Sequence, residues 1–193
     1  PSLAGSLNNL GGRLSALGKR EDALKAALEA ADIYRKLSKD NPDEFLPDLA
    51  MSLNNLGVMF SELGKREDAL KAALEAADIH RKVAKANPDA FLPHLATSLN
   101  NLSNRLLCLG SREDALKTTQ EAVDIYRKLA EANPDAFLPD LAMSLGTLGT
   151  VLGAVARHAE AAEAFHDGLE SVVGMAQRYP AAFGGLAGSL AND

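Results

Sequence analysis

Leu49-Ala50-Met51-Ser52-Leu53-Asn54-Asn55-Leu56 is the stretch that decides how this chain folds, because it recurs at a fixed interval. It occurs first as Leu3–Leu10 (LAGSLNNL), again as Leu95–Leu102 (LATSLNNL), and more loosely as Leu141–Leu148 (LAMSLGTL), 46 residues apart each time. A fifth start, Leu186–Leu190 (LAGSL), comes one residue early. The seventeen residues Leu17–Ile33 are identical to Leu63–Ile79. Self-similarity at such a period marks a repeat array, in which each unit buries its apolar face only by stacking on its neighbours. The units are 3–48, 49–94, 95–140 and 141–185, with a partial fifth at 186–193. Identity this close points to recent duplication within the gene or to design toward a consensus.

Each unit reads as two helices, A and B. In the second unit Leu49, Leu53, Leu56, Phe60 and Leu63 step by fours and threes, which places them on one helical stripe. That predicts helix A over about Pro47–Leu63, with Pro47 in the first turn, where its missing N–H costs nothing. Gly64 ends it, since glycine takes the left-handed conformation freely. Helix B is expected over about Arg66–Ala86, buried along Ala69, Ala72, Ala73, Ala76, Ile79 and Val83. Glu67/Lys71 and Asp78/Lys82 are spaced i,i+4 on its outer face, each pair worth about 0.2–0.5 kcal/mol. Asn87-Pro88 stops it, because the residue before proline avoids the α region. Asn87–Pro93 has two readings. It is a loop with one short turn, or Asn87 caps an early start of the next helix A and leaves Pro93 inside it. The loop is the favoured reading.

The series Leu10-Gly11, Leu14, Gly18, Ala23, Ala30 resembles the tetratricopeptide repeat, and recurs as Leu56-Gly57, Phe60, Gly64, Ala69, Ala76. The third unit keeps the pattern with Ser103 for the glycine. The fourth has Ala156 at the turn, Gly168 at the last small position, and Phe165 where an aromatic is the family norm. Small residues at a helix crossing let two backbones approach while leucines fill the space around them, so the match has a physical basis. The common repeat has about 34 residues. The surplus here falls after Ala30, as extra turns of helix B and the NPDxF connection. This long variant is similar to the repeats of kinesin light chains and of bacterial and fungal signalling arrays. The resemblance implies an all-α solenoid, an α-α superhelix of four helix pairs plus a truncated ninth helix. It also implies a concave groove lined by helix A that holds a protein or peptide.

Carried onto this sequence, that groove offers Asn8 and Asn9 in the first unit, and Asn54, Asn55 and Val58 in the second. The third offers Asn100, Asn101 and Asn104. Asparagine is a mediocre helix former, so its repeated use in mid-helix calls for a return. Two are open. The amide, which donates and accepts at once, reads the backbone of an extended peptide, or it bonds a neighbouring helix and sets the stacking angle. One of each pair can do each job. Glu62 is the one charged groove position, so a Lys/Arg grip on a terminal carboxylate is not expected. Arg13 and Arg105 lie one position beyond the groove row and are expected as solvated charges.

Composition narrows the remaining classes. The chain has 193 residues, net charge −6 and no Trp, so its core comes from aliphatic residues and nucleic acid is an unexpected partner. No apolar run reaches the roughly 20 residues of a membrane span, so a membrane is not expected either. Cys108 is the single cysteine, which precludes an internal disulfide and fits a cytoplasmic location. The four histidines, His80, His94, His158 and His166, share no metal-ligand spacing and are expected at the surface. No nucleophile–base pattern or intact phosphate loop occurs, so neither catalysis nor a cofactor is expected. Pro1-Ser2-Leu3 opens inside the repeat pattern, which reads as a fragment of a longer protein. The expected function is a protein-interaction scaffold. The alternative is a spacer that self-associates end to end through exposed repeat faces.

Overall fold

A computed structural model describes residues 1–178, and every regular element among them is helical. The expected fifth repeat start at Leu186–Leu190, the truncated ninth helix and the end of the 141–185 unit lie outside the described residues. The helices are α1 (Ser2–Ala16), α2 (Arg20–Asp40), α3 (Pro42–Glu62), α4 (Arg66–Ala86), α5 (Pro88–Cys108), α6 (Arg112–Ala132), α7 (Pro134–Ala154) and α8 (His158–Arg178). They fall into two compact units, Pro1–Ser111 and Arg112–Asp193. In the first, each helix from α1 to α5 packs on the next, and α1 also touches α3. In the second, α7 packs against both α6 and α8.

The favoured reading of Asn87–Pro93 as a loop is overturned. Helix A starts at Pro42, Pro88 and Pro134, and Pro47, Pro93 and Pro139 lie inside it. Asn87 and Asn133 cap the second and third of these starts, their side-chain oxygens accepting the N–H of Ala90 and Ala136 at 3.4 Å, whereas Asn41 makes no such bond. Proline at the first helical position has its φ already set for the helix. The internal proline, near the N-terminus, removes a single intrahelical bond, and packing against helix B offsets that loss. Helix B matches its expected span, Arg66–Ala86. Two 21-residue helices, a three-residue turn and a single Asn therefore make up the 46-residue period.

The turn between A and B is a Schellman closure. In the second repeat Lys65 N–H donates to the Phe60 carbonyl and Gly64 N–H to that of Ser61, both at 2.9 Å, with Gly64 at φ 71°. Gly18 and Gly110 do the same at φ 73° and 80°. Ala156 occupies this place at φ 62°, where a Cβ is strained. Ala156→Gly should therefore raise the stability of the second unit by about 0.5–1 kcal/mol, strain relief outweighing glycine's larger unfolded-state entropy. A denaturant melt checks it, and a lower midpoint would refute it.

The helix crossings account for the small residues. Ala23, Ala69 and Ala115, and then Ala30, Ala76 and Ala122, are all fully buried. A Cβ on Gly11 would come 3.3 Å from the Ala23 carbonyl oxygen, and one on Gly57 3.4 Å from that of Ala69. So the Leu-Gly pair marks where helix A lies on the backbone of helix B. In the fourth repeat Gly149 instead makes room for the Phe165 ring, which would stand 2.8 Å from an added Cβ. Helix B is buried on two sides, so Ala77, His80 and Ala84 join the predicted alanines, while Ile79 and Val83 are only half-buried. Asp78 pairs with Arg81 at 3.6 Å, three residues on, and not with Lys82.

Composition alone left out one helix. α7 is long and apolar enough to cross a membrane, with a mean hydropathy of 1.3 over its most apolar window. Its seven buried residues, among them Leu141, Leu145, Leu148 and Val151, belong to a helix packed on both α6 and α8. Gly146 and Thr147, where other repeats have Asn-Asn, raise its hydropathy.

Candidate peptide-binding face

Neighbouring residues on a helix point about 100° apart, so the two members of an Asn pair are free to take different hydrogen-bond partners. The structure separates them. The Asn8 side-chain oxygen accepts from Ser52 Oγ at 3.1 Å, and Asn54 Nδ2 donates to Ser98 Oγ at 2.7 Å. The first Asn of each of these pairs thus bonds the A helix of the following repeat. Ser52 and Ser98 are fully buried, and Asn8 and Asn54 half-buried. The second member of each pair, Asn9 or Asn55, is exposed, with no side-chain hydrogen bond among the described residues.

Asn9 and Asn55 share a surface trough of about 610 Å³ between α1 and α3 with Asn8, Gly12, Arg13, Ala16, Val58 and Met59. Four of the predicted groove residues, Asn8, Asn9, Asn55 and Val58, therefore come together. Asn54 does not line the trough. Asn100, Asn101 and Asn104 are on α5 and lie outside it. Of these, Asn104 is exposed and Asn101 half-buried, and Asn100 is already engaged by another group. Arg13, expected beyond the groove row, lines the trough as an exposed cation. Glu62 is not a free groove charge, because Ser15 Oγ lies 2.6 Å from both its carboxylate oxygens and ties the end of α1 to that of α3.

Two sequence expectations fail here. Arg105 is not a solvated charge, being half-buried with its Nε buried and without a partner among the described residues. His80 is not at the surface. It is 1% exposed, with Nδ1 2.7 Å from the same Ser98 Oγ that Asn54 meets. Its ring stacks on His94, centroids 5.7 Å apart and planes 18° from parallel. His94, His158 and His166 are exposed as expected. The buried serines were missed altogether. The signal was available, since Ser is the fourth residue of every LAxSL start. In a stripe otherwise made of leucine and alanine, a hydroxyl that recurs in every repeat implies a buried acceptor or donor.

The trough offers amide groups, one cation and small apolar side chains, a set suited to holding polar backbone. Among the described residues no three of His, Cys, Asp and Glu gather as a metal site would require. Cys108 is exposed at the end of α5. In the second unit a more apolar hollow of about 450 Å³ is lined by Pro139, Ala142, Met143, Gly146, Phe165, Gly168, Leu169 and Val172.

Comparison with known proteins bears on what such a face does. The sequence profile described as the tetratricopeptide repeat matches residues 3–43, 49–89 and 95–135. No curated protein matches the chain. Among solved structures it is similar to BtubC (BKLC) from P. vanneervenii, at 21% identity and a TM-score of 0.72 over 90% of this chain. At that identity the likeness concerns the fold alone. This chain spans 64% of the length of that protein.

Proposed function

The chain belongs to the tetratricopeptide repeat family, and on that premise we propose that it is the scaffold domain of a larger cytoplasmic protein, holding an extended peptide along α1 and α3. Repeats of this family mediate protein–protein interaction and are typically non-enzymatic. The observation that carries the finer reading is the division of labour within each Asn pair. Asn8 and Asn54 are engaged by buried serines, whereas Asn9 and Asn55 present unengaged amides to one trough. An amide that both donates and accepts can satisfy a peptide bond of any sequence. Arg13 beside it favours a segment with an acidic residue.

Peptides selected from a random display library on the whole chain test this. The double change Asn9→Ala/Asn55→Ala should weaken a selected peptide roughly tenfold or more, at about 0.5–1.5 kcal/mol per lost hydrogen bond, and leave the melting temperature unchanged. Asn54→Ala should do the reverse, lowering the melting temperature by roughly 4–8 °C for a loss near 1 kcal/mol. Selected peptides indifferent to the double change would sink the proposal.

A second reading, self-association, has its own observation. Leu3 and Leu10 on α1 are 59% and 47% exposed, while Leu49 and Leu56, their counterparts on α3, are 3% and 5% exposed beneath α2. Sedimentation across a hundredfold concentration range separates the two readings, since a strict monomer leaves only the peptide scaffold.

A further inference from the structure

Helix B carries Tyr34 in the first repeat and Tyr126 in the third, and the second has His80 in their place. Helix A carries Asp48 and Asp140 where the repeat between them has His94. Both substitutions therefore fall on one contact, the stacked pair His80–His94 between α4 and α5. The polar network around it leaves two buried atoms without partners among the described residues, Asn54 Oδ1 and His80 Nε2. Ser98 Oγ accepts the Asn54 amide proton, so its own single proton is the one available to His80 Nδ1. Nδ1 can accept it only in the neutral ring with its proton on Nε2, a buried atom that has no partner. The other rung, Ser52 to Asn8, runs the opposite way, with the serine donating and no histidine present.

We propose that His80 is a proton-operated latch that ties α5 to α3 and α4 while neutral and releases it on protonation. A second ring proton turns Nδ1 from acceptor to donor. A full charge then sits in a site that is 1% exposed, with the Nε2 proton buried and without an acceptor. From α5 the titratable group facing the ring is His94, which repels the charge; the α3 member of the network is the neutral amide of Asn54, linked to the ring through Ser98. No carboxylate on α3, α4 or α5 acts on it to offset this.

Burial first and His94 second push the His80 pKa down from 6.5 to about 4. A base with a lowered folded-state pKa leaves the unfolded chain binding more protons between the two values. The latch is therefore fully closed above about pH 6.5, loosens as pH falls toward 4, and changes no further below that. Because Asn54 is on α3, beside Asn55, acid would also loosen the helix that presents Asn55 to a ligand. That consequence rests on the peptide-scaffold reading, and the latch does not.

The test uses the whole chain without any ligand. Hydrogen exchange, corrected for intrinsic rates, should show α5 amides from Leu95 to Leu102 losing roughly 100-fold protection between pH 7 and 4.5. Between the unfolded and folded pKa values, each step of one in pH shifts the opening equilibrium about tenfold. The variant H80Y/H94D, which restores the Tyr and Asp of the other repeats, should stay within about threefold over the same range. If that variant does not fold, the His80 ring resonances of the wild-type chain decide instead, with a midpoint below 5 expected. A midpoint near 6.5, or equal loss of protection in the variant, overturns the latch.

Discussion

Leu53→Ala should lower the stability of the Pro1–Ser111 unit by about 3–5 kcal/mol, the upper range for emptying a close-packed leucine site. Leu53 is 1% exposed on the α3 stripe, within a core that includes Leu24, Ala27, Ala31, Leu49, Leu56 and Ala76. The α2 and α4 members of that core include Ala23, Ala27, Ala31 and Ala76, whose single methyl groups cannot extend into a void. Helix backbones already held 3.3–3.4 Å from a virtual Cβ at Gly11 and Gly57 have little room to collapse further. The cavity therefore persists, which puts the cost near the top of the range. Urea unfolding followed by circular dichroism measures it. A loss below about 1.5 kcal/mol, the range for a site that refills, would show that the helices slide together. Leu10→Ala is the matching control. The leucine, the counterpart of Leu56 on the same helix-A stripe, is 47% exposed, and its loss should be much smaller.

Ser98→Ala comes next, with an expected loss of about 2–4 kcal/mol, far above the cost of removing a surface hydroxyl. The change deletes one oxygen and leaves two partners without it, Asn54 Nδ2 and His80 Nδ1. Each buried group left unsatisfied costs about 1–3 kcal/mol, and the small cavity admits no easy replacement. Ser52→Ala provides the comparison, since Ser52 bonds only Asn8, which is half-buried and can turn to water. It should cost about 1 kcal/mol. Equal effects at the two serines would mean that His80 draws no stability from Ser98. Paired denaturant melts at pH 7.5, where the latch is closed, read both values.

The success and failure of the sequence expectations follow the range of the forces involved. Period, helix B and the A–B turn were legible because each depends on residues within one or two turns. The stripe Leu49-Leu53-Leu56, the glycine that takes φ near 71°, and the stop at Asn87 are such cases. The start of helix A was misread because Asn87-Pro88 ends one helix and begins the next with the same two residues. Proline's rigidity is local, but whether Pro93 breaks or merely enters the helix depends on how much helix B rewards continuing it. Gly11 and Gly57 were recognised as part of a motif before their reason was visible, which is the backbone of helix B at van der Waals contact.

The candidate face divides in the same way. Asn8, Asn9, Asn54 and Asn55 were all identifiable as groove candidates by their place on helix A, with a structural task open to one of each pair. Which Asn took which task required the neighbouring helix, because Ser52 lies 44 residues from Asn8 and Ser98 the same distance from Asn54. His80 shows the limit most plainly. As a lone histidine on a charged helix it reads as solvated, yet it occupies the buried place held by Tyr34 and Tyr126 in the other repeats. The amino-acid sequence by itself determined that this is a tetratricopeptide array with a 46-residue period, since hydrophobic spacing and glycine conformation act over a few residues. Only the tertiary structure decided which polar side chains are engaged and which face the trough, since a hydrogen bond between repeats depends on two helices meeting at one depth and angle.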